Sequence, residues 1–166
     1  GANSVAGNTV LGETALDASV SGGNNTAIGS SALTANTSGN HNAAVGKSSL
    51  AANTTGAANT SVGAFALDAN TTANSNSAFG YSSLTTNTTG TQNTGIGRNA
   101  LHDNLTADNN TAVGFDAMNA NTTGTENVAV GSNSADANTT GNNLTAIGHG
   151  ALTANTTGSS NTGLGS

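Results

Sequence analysis

The chain contains no cysteine, no proline and no tryptophan, one tyrosine, three phenylalanines and only two basic residues, Lys47 and Arg98. Each shortage excludes something. Without cysteine there can be no disulfide framework and no thiolate metal site, which is compatible with an oxidising compartment without requiring one. Four aromatic rings in 166 residues cannot build an aromatic core. Eight acidic residues against two basic ones give a net charge of -6. No basic stripe is available to neutralise phosphates, so nucleic acid is excluded as a partner and an anionic membrane surface is disfavoured. The longest apolar run is far too short to span a bilayer, so no direct membrane insertion is expected. Gly1 stands where an initiator methionine would, and no basic segment followed by an apolar stretch precedes the rest, so the chain is expected to be a processed or excised piece.

What fills the sequence is a repeat of 17 residues. Gly12, Gly29, Gly46, Gly63, Gly80, Gly97, Gly114, Gly131, Gly148 and Gly165 follow one another at that interval with no insertion or deletion. A fixed period of this length marks a stacked solenoid in which each repeat is one coil touching only its neighbours. Residues 1–166 therefore form a single array of about ten coils with no internal domain boundary. Gly1 to Gly7 is a degenerate lead-in, with Asn3-Ser4-Val5-Ala6-Gly7 echoing the motif out of register. Full coils begin at Asn8, Asn25, Asn42, Asn59, Asn76, Asn93, Asn110, Asn127 and Leu144, and another begins at Asn161. The array ends in mid-repeat, which implies a fragment of a longer fibre or a protomer that stacks end to end.

Within a coil the residue before the invariant glycine is apolar and usually β-branched: Leu11, Ile28, Val45, Val62, Phe79, Ile96, Val113, Val130, Ile147 and Leu164. That is a strand signal. The residue before it is small in every copy but Val10, so that face must pack closely. The glycine itself implies positive φ or near contact between backbones. A small-then-apolar pair, as in Ala32-Leu33 or Ala66-Leu67, predicts a second short strand. The residue after the glycine varies freely (Glu13, Ser30, Lys47, Ala64, Tyr81, Arg98, Phe115, Ser132, His149), which marks it as solvent-facing. Asn-Thr-Thr-Gly, as at residues 53–56, closes the coil as a turn in which the threonine hydroxyls bond locally. The two asparagine columns, at the coil start and in this loop, are expected to stack as side-chain amide ladders. Glycine, asparagine and β-branched residues, with no 3.6-residue apolar period, exclude a helical reading. The fold expected is all-β, a parallel β-solenoid about 45 Å long at one strand spacing per coil. A lone coil has few large apolar side chains to set against the cost of ordering it, so one strand face is expected to be buried against other chains in a homo-oligomer.

Asn-Thr-Ala-Val/Ile-Gly followed by a small-apolar pair resembles the head repeat of trimeric autotransporter adhesins, whose motif reads roughly Asn-Ser-Val-Ala-Ile-Gly. The resemblance covers essentially the whole chain. It implies a left-handed parallel β-roll, three chains around an axis, displayed outside the cell to bind a host or abiotic surface. Similar repeats look like those of phage tail-fibre shafts. Two departures are plain: the family's repeat is nearer 14 residues, and its valine two before the apolar position is here mostly threonine (Thr26, Thr60, Thr94, Thr111, Thr145).

Chemistry is hard to place on this pattern. His41, His102 and His149 occupy different repeat positions, so no column assembles a metal site. Asp17, Asp68 and Asp136 share a position but lie three and four coils apart, about 14 and 19 Å at one strand spacing per coil. Paired glycosidase carboxylates sit within roughly 5 to 9.5 Å. Asp108 and Glu126, one coil apart, are the closest acidic pair and are read as loop charges. Gly95-Ile96-Gly97 and Gly163-Leu164-Gly165 look like phosphate loops but lack a following helix. No catalytic residue, cofactor or metal is expected. Asn36, Asn53, Asn70, Asn87, Asn104, Asn121, Asn138 and Asn155 each satisfy the Asn-X-Ser/Thr acceptor pattern and are candidate glycosylation sites, although a tight turn selects the same residues. The expected role is non-enzymatic: a structural or adhesive segment of an extracellular or surface-displayed fibre. The alternative is the shaft of a phage or contractile-injection-system tail fibre, on a virion. A third class, an ice-binding solenoid, is weakened because adjacent threonines such as Thr54-Thr55 would point to opposite faces of a strand.

Overall fold

The computed structural model describes residues 5–18 and 21–165; Asn3 and Ser4 of the lead-in lie outside them. Ten three-residue strands run β1 Thr9–Leu11, β2 Thr26–Ile28, β3 Ala43–Val45, β4 Thr60–Val62, β5 Ser77–Phe79, β6 Thr94–Ile96, β7 Thr111–Val113, β8 Val128–Val130, β9 Thr145–Ile147 and β10 Thr162–Leu164. They form one parallel sheet in sequence order. Each residue pairs with the one 17 positions on, as Thr26 with Ala43 and Ile28 with Val45. No helix occurs among the described residues. The array is a β-solenoid of 17-residue coils.

Among the described residues each coil carries a single three-residue strand. The second strand expected at the small-apolar pair is absent: residues 30–35 form a turn, with Ser31 at φ 59° and Leu33 at φ 51°. The same alternation recurs at Ser48 and Leu50, at Phe65 and Leu67, and at Asp116 and Met118. A left-handed residue costs an L-amino acid on the order of 1 kcal/mol, and what holds it here is the ladder. Ser31 N–H donates to Glu13 C=O of the preceding coil at 2.8 Å, and Leu33 N–H donates to Ser49 C=O of the next at 3.0 Å. Backbone hydrogen bonds thus continue past the strand without extended geometry, while the chain curls around the leucine.

The core is thin. The middle strand residue (Ala27, Ala44, Ser61, Ala78, Gly95, Ala112, Ala129, Ala146) and the turn leucine column (Leu16, Leu33, Leu50, Leu67, Leu84, Leu101, with Met118) are buried. Small residues face each other at a spacing of 12: Ala32 with Ala44, Ala66 with Ala78, Ala100 with Ala112. Where serine enters this pair its hydroxyl is satisfied, Ser49 Oγ donating to Ser61 Oγ at 2.7 Å and Ser83 Oγ to Gly95 C=O at 2.9 Å. A Cβ on Gly95 would lie 2.6 Å from Ser83 Oγ. We expect Gly95→Ala alone to destabilise the array by about 1–2 kcal/mol through overpacking. Combined with Ser83→Ala it should recover most of that loss, because Ala–Ala is the pair used in neighbouring coils; a denaturation double-mutant cycle reads the coupling.

Asparagine supplies what the small core does not. In the loop column Asn53 Nδ2 donates to Asn36 Oδ1 at 2.9 Å, Asn70 to Asn53 at 2.8 Å, and the chain continues through Asn104, Asn121 and Asn138 to Asn155. This is the expected amide ladder. The coil-start column works differently, binding side chain to backbone. Asn42 N–H donates to Asn25 Oδ1 at 2.9 Å, while Asn25 Nδ2 donates to Gly39 C=O at 2.9 Å and closes its own coil's loop against the strand. The threonines also reach across coils instead of bonding locally: Thr54 Oγ1 donates to Thr71 C=O at 3.0 Å. Among the described residues every buried side-chain nitrogen and oxygen has a partner.

The glycine columns divide into two kinds. The invariant glycines have φ between 102° and 142°, and a Cβ on Gly80 would meet Gly97 C=O at 2.5 Å. The loop glycines (Gly39, Gly56, Gly90) have no positive φ, and Ala73 and Ala107 replace them in two coils.

Candidate functional surface

Three surfaces run along the rod. The first is the outer face of the sheet. The middle strand residue points inward, so the first and third point outward. They form one column of mostly threonine (Thr9, Thr26, Thr60, Thr94, Thr111, Thr145, Thr162) and one of large apolar residues. Val62, Phe79, Ile96, Val130 and Ile147 are exposed, Ile147 by 44%. A continuous apolar column on ten consecutive strands is more than scattered surface hydrophobicity.

The second surface is the corner at the invariant glycine, where the freely varying column sits. Lys47, Tyr81, Arg98, Phe115 and His149 are exposed, as expected of solvent-facing positions. The Phe65 and Tyr81 rings meet edge-on at 5.9 Å and 80°. Lys47 Nζ lies 5.7 Å from the Phe65 ring centre, and Arg98 Cζ lies 5.6 Å from that of Phe115. Sequence reasoning registered this column only as variable. Sorting the aromatic and basic residues by repeat number would have shown that they fall in adjacent coils.

The third surface is the Asn-Thr-Thr-Gly loop with the candidate glycosylation sites. Asn36, Asn53, Asn70, Asn87, Asn104, Asn121 and Asn138 are fully buried, and Asn155 is half-buried. Glycosylation must attach at Nδ2, which in the column is donated to a neighbouring amide and to a loop carbonyl, as Asn53 Nδ2 to Gly56 C=O at 3.0 Å. The folded loop presents Thr55, Thr72 and Thr89 to solvent, and the asparagine faces inward. Intact mass after expression in a glycosylating host is expected to equal that of the bare chain, and added hexose mass would show that the loops open before folding is complete.

The titratable side chains serve these same contacts. Asp108 Oδ1 accepts from Thr91 N–H at 2.6 Å and from Thr91 Oγ1 at 2.9 Å, while Glu126 meets Asp108 through its backbone N–H. Asp68 accepts from Thr85 Oγ1 and Asp136 from Thr153 Oγ1, each one coil on. The third member of that column, Asp17, is exposed. His102 Nδ1 contacts Asp103 at 2.6 Å, while His41 and His149 stand apart on the exposed surface. Among the described residues no three His, Cys, Asp or Glu side chains converge to hold a metal, and no helix is long and apolar enough to cross a membrane. Gly95 lies on strand β6, buried against Ser83, and Gly163 lies on β10 beside Leu152. Both take part in coil packing. The concavity lined by Leu152, Gly163 and Leu164 is the open interior of the final coil and carries no charged group.

No known protein family's profile matches the chain, and no curated protein or solved structure matches it.

Proposed function

We propose that the chain is a structural and adhesive segment of an extracellular or surface-displayed fibre, assembled as a homotrimer through the outer sheet face and acting without catalysis. The observation that carries this reading is the face itself. Apolar side chains in the column from Leu11 to Leu164 stand in unbroken register with their large surfaces outward, while the interior behind them holds mainly alanine and in most coils one large apolar side chain, a leucine or Met118, with Ala135 in its place in the eighth. Packing this face against two more copies would bury the apolar column that the coil cannot cover and would double the number of large apolar side chains removed from water. The repeats give length, and the corner and loop surfaces are left for contact with a host or abiotic surface.

Sedimentation equilibrium tests the assembly. The native chain is expected at three times its 15.8 kDa mass, and Ile96→Lys combined with Val62→Lys is expected to shift it towards the single-chain mass while keeping the β spectrum. A native chain that stays at the single-chain mass up to high concentration removes the trimer.

An ice-binding role draws on the same face by a different observation. Thr26 and Ile28 are two residues apart and share the outer face, as do Thr94 and Ile96, an arrangement the loop threonines do not have. Ala43, Ser77 and Val128 interrupt the threonine column and Phe79 raises the apolar one, which breaks the regularity that an ice lattice demands and places the fibre reading first. Thermal hysteresis from the native chain would reverse that order.

A further inference from the structure

All four aromatic residues of the chain and both of its basic residues lie in five consecutive coils. Lys47 belongs to the coil that starts at Asn42, Phe65 to the next, Phe79 and Tyr81 to the third, Arg98 to the fourth and Phe115 to the fifth. Five of the six stand one or two residues after the invariant glycine, on the corner; Phe79 stands just before it, where the corner meets the sheet face. Outside this block the position after the glycine holds Glu13, Ser30, Ser132, His149 and Ser166.

From these placements we infer that the corner of these five coils is a binding ridge for an extended acidic oligosaccharide, one bearing carboxylates of the uronic or sialic acid kind. The ridge from Lys47 to Phe115 covers four coil steps, about 19 Å, which is the length of a few pyranose rings laid along the rod. Tyr81 and Phe115 are exposed by 52% and 45%, and exposed rings present flat apolar faces on which the C–H faces of a sugar can stack. The two cations give the ridge its sign. Lys47 and Arg98 are three coils apart, about 14 Å, and the one ion-pair contact among the described residues is His102 with Asp103. Among the described residues neither cation is paired with a carboxylate, and both lie beside ring faces that orient them. Asp116, two residues after Gly114 on this corner, accepts from Asn99 Nδ2 at 2.9 Å. On a chain of net charge -6 an acidic polymer is repelled elsewhere, so this ridge would fix where it lies. The Arg98 guanidinium suits a carboxylate bidentately.

This inference deepens the adhesive reading and rests on it for its biological sense, but it is testable separately. The probe is a galacturonate oligomer, with a neutral oligosaccharide of the same length as the comparison, titrated into the native chain at low salt and followed by amide NMR. Shifts are expected at residues of the five-coil block, centred on Tyr81 and Arg98, with at least tenfold weaker binding of the neutral sugar. Tyr81→Ser and Phe115→Ser should each weaken binding tenfold or more, and Lys47→Ser with Arg98→Ser should remove the preference for the acidic oligomer. Serine already holds this position elsewhere, as at Ser30 and Ser132, so the variants should keep the native melting profile. Absence of binding, shifts outside the block, or binding indifferent to these variants overturns the ridge. A change of assembly mass in Tyr81→Ser would show that the corner joins copies of this chain, which also overturns it. The mass of the same sample separates the two readings: a monomer that binds keeps the ridge and removes the trimer, and a trimer that fails to bind does the reverse.

Discussion

Gly80→Ala is expected to cost about 3–5 kcal/mol, the sum of a strained dihedral and an overpacked contact, and to lower the unfolding midpoint more than any surface change. Two causes act together. At φ 137° an L side chain is held in a region that only glycine occupies freely. The new Cβ would also lie 2.5 Å from Gly97 C=O and 2.6 Å from the carbonyl carbon, and backbone cannot rotate away as a side-chain tip can. The coil must tilt or separate, which breaks the strand ladder on both sides. The matched control is Gly56→Ala in the loop. A Cβ there would also crowd a carbonyl, that of Ala73, but its glycine has no positive φ and Ala73 already occupies the equivalent site one coil on, so the loss there should be the smaller, about 1–3 kcal/mol from overpacking alone. Denaturant unfolding by circular dichroism compares the pair. Equal losses would mean that the positive φ of the invariant column adds nothing to the cost.

The coil-start asparagines carry the second large effect. Asn76 Oδ1 accepts from Asn93 N–H at 2.9 Å, and its Nδ2 donates to Gly90 C=O at 2.8 Å. Asn76→Ala leaves that N–H buried without an acceptor, while Gly90 C=O keeps its bond from Asn87 Nδ2. A buried unsatisfied group costs about 1–3 kcal/mol and the lost bond adds to it, so a loss on the order of 2–4 kcal/mol is expected. Asn76→Asp gives a sharper result because it titrates. The carboxylate can still accept from Asn93 N–H, but its other oxygen faces the Gly90 carbonyl in a fully buried site. Burial and that carbonyl disfavour the charged form and raise the folded-state pKa above the unfolded value of about 3.9. The protonated acid can donate to Gly90 C=O, so its stability is fully present below the unfolded pKa and lost as pH rises through the folded one. Unfolding midpoints for Asn76→Asp should therefore approach the native chain's at acidic pH and fall well below them at neutral pH. A flat difference across that range would show that water reaches the column. The sequence breaks this column once, at Leu144, the start of the ninth coil.

Much of this was legible from the period alone. A spacing of 17 with no slip places every strand, because Ile28, Val45 and Val62 can share a register only if Gly29, Gly46 and Gly63 also stack. The small residue at Ala27 and Ala44 correctly announced a closely packed face; of the two asparagine columns expected to stack as side-chain ladders, the loop column does so, while the coil-start column bonds side chain to backbone. What the sequence hid was backbone conformation at residues with no preference for it. Leu33 and Leu50 favour a right-handed or extended backbone as isolated residues, and only the neighbouring coils hold them left-handed. A short apolar pair therefore read as a strand where the chain in fact turns. Burial of the sequon asparagines was hidden for a similar reason. Asn53-Thr54-Thr55 has the composition of an exposed loop, and only the stacking of Asn36, Asn53 and Asn70 turns the amide inward and leaves the second threonine outside. The corner block was readable but needs a count by coil, since neighbouring members such as Tyr81 and Arg98 are a full repeat apart in sequence.

The central claim is that each 17 residues advance the rod by one strand spacing, and distances between spin labels measure that advance directly. The chain has no cysteine, so Ser38→Cys paired with Thr106→Cys, Thr123→Cys or Thr140→Cys places labels at one exposed loop position four, five and six coils apart. Labelled chains are diluted into unlabelled ones, so that only pairs within a chain contribute. The stack predicts narrow distributions rising linearly at about 4.7 Å per coil, near 19, 24 and 28 Å. Broad distributions, or separations that do not grow with coil number, would contradict it.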